Sequence, residues 1–106
     1  MANYVLIYSG GGMPATDAER AAATQAWENW FGGLGAAVVD AGNPFAQAAK
    51  SVSGDGRVSD APVGTPATGY SILKADSLDA AVGMAKSCPA LQGGAQISVY
   101  EIFPVM

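Results

Sequence analysis

The chain contains no histidine. That removes the side chain that most often serves as a general base near neutral pH and most often ligates a metal. A histidine-based triad, a two-histidine iron site and a typical catalytic zinc site are excluded within one chain. No metal and no cofactor are therefore expected. Cysteine occurs once, at Cys88, so no internal disulfide can form, and a reducing cytoplasm is the default expectation. Basic residues are scarce: five Lys and Arg stand against nine Asp and Glu, a net charge of −4. Phosphate binding needs a basic face, so nucleic acid is not an expected partner, and an anionic membrane surface is disfavoured for the same reason. No apolar run approaches the ~20 residues of a membrane-spanning helix. Met1-Ala2-Asn3-Tyr4 lacks the basic flank of a signal peptide.

What remains is a chain of 106 residues, half of them hydrophobic, long enough for one domain over 1–106 with a real core. Its most legible stretch is 69–89. Tyr70, Ile72 and Lys74 alternate with Ser71 and Leu73 as in a strand. Asp76 and Ser77 offer oxygens to a helix start. Leu78, Ala81, Val82 and Ala85 follow as one helical stripe, and Pro89 stops it. Residues 95–103 alternate as another strand. Upstream, 3–9 reads as a strand with two apolar faces. The glycine run Gly10-Gly11-Gly12 has no Lys-Ser/Thr follow-on and reads as a connection rather than a phosphate loop. Thr16 or Asp17 caps a helix, with Glu19 spaced for a capping box. Ala23, Trp27, Trp30 and Leu34 form its stripe, and Gly32 and Gly33 are expected to end it. Residues 36–42 read as a second strand, with Val38 and Asp40 on one side, broken by Gly42-Asn43-Pro44. Flanks at 46–53 and 57–59 around Gly54-Asp55-Gly56 read as a hairpin. The stretch 60–68 is a long connection poor in bulky apolar groups, of the kind that lids a site or meets a partner.

No catalytic set can be read from these residues. Trp27 and Trp30 are core residues by spacing, or else a stacking platform. Asp40 either binds turn N–H groups or sits at the mouth of a pocket, beside Asn43. Cys88 reads as a buried, inert thiol, because a helix C-terminus does not activate one. Ser71, Ser98 and Gln96 are expected to place polar groups on one sheet face near Tyr70 and the tryptophans, as a ligand pocket would.

The order strand, helix, strand, hairpin, strand, helix, strand is the ferredoxin-like split βαβ pattern with an extra β-hairpin, an α+β fold. Along nearly its whole length the chain resembles the YCII-related, or DGPF-domain, family. The residues that carry the likeness are Trp27-Glu28-Asn29-Trp30, Val38-Val39-Asp40-Ala41-Gly42-Asn43-Pro44-Phe45, Gly69 to Leu73, Ala75 to Ala81, Cys88-Pro89 and Gly93-Gly94. The resemblance implies a homodimeric α+β barrel in which two sheets face each other. The family's suggested His–Asp chemistry lacks its histidine here, where Thr24-Gln25-Ala26-Trp27 stands. Its Asp-Gly-Pro-Phe motif survives only as Asp60-Ala61-Pro62-Val63, so Asp60 alone carries over. Three readings follow. The first is a homodimer binding a small molecule near the interface, with Trp27, Trp30, Asp40, Asn43, Asp60, Tyr70, Ser71 and Ser98 as candidate ligand residues. The second is a cofactor-free enzyme of lyase or isomerase type with Asp40 or Asp60 as base. The third is a structural or partner-binding module.

Overall fold

A computed structural model describes residues 1–12 and 14–105. Strands β1 (Ala2–Gly10), β2 (Val38–Asp40), β5 (Ala67–Ala75) and β6 (Ala95–Ile102) form one antiparallel sheet in the order β2-β5-β1-β6. Helices α1 (Asp17–Leu34) and α2 (Leu78–Ala85) cover one face of it, and β3 (Ser51–Val52) and β4 (Val58–Ser59) form a separate two-stranded hairpin. The mixed α+β arrangement is compatible with a ferredoxin-like fold. The molecule measures 44 × 41 × 18 Å. A thickness of 18 Å holds a sheet and one helical layer, so among the described residues no layer lies over the second sheet face.

The alternation of the long strands sets the core. Tyr4, Leu6 and Tyr8 of β1 stand beside Leu73, Ser71 and Gly69 of β5, all buried under the helices. Trp30 of α1 and Ala81, Ala85 and Cys88 complete this core from above. Thr16 caps α1, its Oγ1 accepting the Glu19 N–H at 3.1 Å, while Glu19 reaches back to the Ala15 N–H at 3.0 Å. Ser77 caps α2 through the Ala80 N–H at 3.1 Å. The turn at 54–56 is where the sequence placed it: Gly56 takes a φ of 86° and its N–H bonds the Ser53 carbonyl at 2.9 Å.

Four expectations need correction. Gly32 and Gly33 do not end α1; the helix runs through them to Leu34 and ends at Gly35, which takes a φ of 56°. Half-buried Leu34 draws the last turn onto the core, which offsets the poor helix propensity of two glycines. The second strand is three residues long rather than seven, because 35–37 wind into a 3₁₀ turn. Val38 and Asp40 do not share a side. Val38 pairs with Leu73 and Asp40 with Ile72, a register shift that turns Asp40 to the open face. Finally, the α2 stripe is only half buried: Ala81 and Ala85 face the core, while Leu78 and Val82 remain 47% and 36% exposed.

Candidate functional site

The uncovered sheet face is ordered by its registers into rows. Tyr70, Ile7 and Ser98 form one row; Ile72, Val5 and Tyr100 form the next; Lys74, Asn3 and Ile102 close the sheet end. The centre is apolar and the ends are polar. Tyr100 is 60% exposed, far more than an aromatic ring gains anything from in water.

At the β5 side of this face the loop after β2 is lashed to β5 by its backbone. Tyr70 N–H donates to the Asn43 carbonyl at 3.3 Å, Phe45 N–H to the Thr68 carbonyl at 2.8 Å, and Pro44 bridges Gly69. Gly42 makes this approach possible. It has a φ of 80°, and a Cβ there would stand 1.6 Å from the Tyr70 carbonyl oxygen. The result fixes Asp40. Its Oδ1 accepts the Gly42 N–H at 2.8 Å, and its Oδ2 accepts the Tyr70 hydroxyl at 3.0 Å. The Asp40 carboxylate in turn pushes the Tyr70 phenol above its usual range, by hydrogen bonding and by charge. Phe45 stacks on Tyr70 with ring centroids 5.9 Å apart and planes 22° apart. The corner thus brings together a carboxylate with both oxygens placed, an aromatic pair and an apolar floor, a set with the chemistry to accept hydrogen bonds from a flat donor-bearing or cationic group.

The remaining candidates fall elsewhere. Ser71 is on the opposite face from Ser98 and Tyr70. It is buried, accepts the Tyr8 hydroxyl at 2.7 Å and donates to the Ala41 carbonyl at 2.8 Å, so its bonds serve the core. The expectation that Ser71 and Ser98 share a face fails because neighbours along a sheet row, not residue type, decide the side: Ser71 stands opposite Leu6 and Ser98 opposite Ile7. Trp27 and Trp30 lie in the helical layer. Trp30 is buried and its indole N–H donates to the Met84 carbonyl and Ser87 Oγ, each at 3.2 Å. Trp27 meets Tyr8 edge to face at 5.4 Å. The core reading of both tryptophans is the one their packing supports. Asp60 is exposed and pairs with Lys50 at 2.7 Å beside the hairpin, and Asn43 holds β5 through its backbone. Burial pushes the Cys88 thiol up. Among the described residues no three His, Cys, Asp or Glu side chains group as a metal site would require, and no helix is long and apolar enough to cross a membrane.

Phe45 is not among the candidate residues that the sequence offers, although an aromatic directly after an Asn-Pro turn is a signal. The second apolar face of β1 is legible in sequence; which residues of β5 and β6 stand beside Val5 and Ile7 is set by the registers. No family model matches the chain, and no curated protein matches it.

Proposed function

We propose that the protein is a YCII-like homodimer that binds a small molecule against the open sheet face, at the Asp40–Tyr70–Phe45 corner. The observation that carries this is the uncovered face itself: an apolar centre with a polar rim, the anatomy of an interface or pocket floor. Two such faces meeting would form the α+β barrel and enclose the corner. Asp40 then selects a ligand with hydrogen-donating or cationic groups.

A thermal-shift screen of polar aromatic amines and other small metabolites tests the site. The best ligand should raise the melting temperature of wild type and of Asp60→Asn. It should have little effect on Asp40→Asn, whose unliganded stability should stay within about 1 kcal/mol. An equal shift in all three proteins removes Asp40 from the site.

A further inference from the structure

A second apolar surface lies on the other side of the sheet, along the free edge of β6. It is a groove of about 310 Å³ between α2, the 3₁₀ turn at Pro89–Gly93 and β6, floored by Ile97 and Val99 and walled by Leu78, Val82 and Leu91. It is the uncovered half of the α2 stripe. Beside it, β6 is an edge strand of eight residues with no proline, lysine or register shift; its one charge, Glu101, sits near the strand's end and accepts the Tyr4 hydroxyl at 3.3 Å, which leaves 95–100 unblunted. The chain then continues past β6 into Phe103 and Val105, which are 79% and 86% exposed. Among the described residues nothing covers the groove, the edge or the Phe103 ring.

We infer that β6 pairs with β6 of a second copy of this chain, antiparallel about a two-fold axis near Ser98, and that Phe103 of each copy closes the other's groove. The complementarity is specific. In that register Ile97 of one copy stands opposite Val99 of the other. The half-exposed Leu78 and Val82 of the two α2 helices flank the axis from both sides, above a joined eight-stranded sheet. Phe103 continues the row Ile97, Val99, Glu101 on the helical side and comes opposite Gly93, beside Leu91. Charge agrees with packing. Lys86 lines the groove and belongs to neither ion pair of the described residues. It lies at the end where Glu101 of the other copy arrives, opposite Ala95. This pairing uses the backbone edge of β6 and its helix-facing side chains, not the side chains that β6 presents on the open face, so it does not require the two sheet faces to meet. If both occur, four chains assemble.

The test exploits distance. Leu91 precedes β6 and Phe103 follows it, so in one chain they are roughly 25 Å apart at about 3.3 Å per strand residue. A disulfide needs Cα atoms within about 7 Å. In a Cys88→Ser background, the double variant Leu91→Cys, Phe103→Cys can therefore cross-link only between copies. Under mild oxidation it should give a covalent dimer on a non-reducing gel, and neither single variant should give that species through this pair. Light scattering of Leu78→Lys, a change at an exposed position, should show the assembly halved with the far-UV circular dichroism kept. A folded double variant that stays monomeric on the gel overturns the proposal, as does an unchanged mass for Leu78→Lys. Failure of a Tyr100→Arg variant to lower the mass would speak against the face-to-face pairing alone.

Discussion

Tyr8 shows how one residue ties the sheet to its loop. Its ring packs under Trp27, and its hydroxyl bonds Ser71, which bonds the Ala41 carbonyl. This chain of two hydrogen bonds reaches from near the end of β1 to the loop that follows Asp40. Burial raises the Tyr8 phenol well above its ordinary value near 10, because the phenolate would lose its hydration. The folded chain therefore holds this proton where the unfolded chain releases it. Stability from this group is complete below about pH 10 and is lost as pH rises past it towards the folded value. Denaturant midpoints measured from pH 8 to 11.5 should fall in the alkaline half, and less steeply in Tyr8→Phe. That variant should itself cost about 1 kcal/mol at pH 7, one net hydrogen bond. A slope unchanged by the substitution would show that Tyr8 is not the titrating group.

At the scale of elements, α1 is favoured by its alanines and its N-terminal cap and is opposed only at its C-terminal turn. Three glycines crowd its C-terminus, and only Gly35 takes a positive φ. Gly33 is exposed, and a Cβ there would meet nothing within 4 Å. Gly33→Ala should consequently stabilise the protein by roughly 0.5–1 kcal/mol, by removing unfolded-state freedom at a helical position. Thermal denaturation checks it, and a lower melting temperature would mean the last turn is not helical in solution. The β2 segment behaves oppositely. It keeps only three strand residues, and the backbone bonds of 43–45 to β5 replace the ladder it lacks.

At the scale of the whole molecule, 106 residues in two layers bury one side of each element and leave two apolar surfaces open, the sheet face and the β6 groove. Surfaces of this kind on a small chain mark contacts with other molecules. If the open faces meet, Tyr100 becomes central, and Tyr100→Arg should place an unpaired charge in the contact. Because the side chain is exposed in the single chain, its folded stability should change by less than about 0.5 kcal/mol. Sedimentation at micromolar concentration should then show a smaller species than wild type. Identical sedimentation would remove the sheet face as a contact.

Local chemistry alone determined much of this protein. Thr16 and Ser77 cap their helices because their oxygens sit one turn before free N–H groups. The 54–56 turn forms because glycine accepts a positive φ; β5 and β6 follow from alternation, and β1 from a short β-branched and aromatic apolar run. These features depend on neighbours a few residues away, so the sequence displays them. The face that each residue occupies, and whether anything covers it, depends on partners tens of residues distant. Ser71 and Ser98 look alike in sequence and lie on opposite faces, because β5 and β6 pair with β1 in their own registers. Asp40 reached the open face only through a register shift against β5, and the close approach that fixes it required Gly42 to meet the Tyr70 carbonyl. The α2 stripe reads as one apolar face, but only Ala81 and Ala85 of it are buried, because Leu78 and Val82 overhang the last strand, β6, and wall an open groove with Ile97 and Val99. Tertiary pairing decided these positions, and with them the corner that presents Asp40 and the groove left along β6.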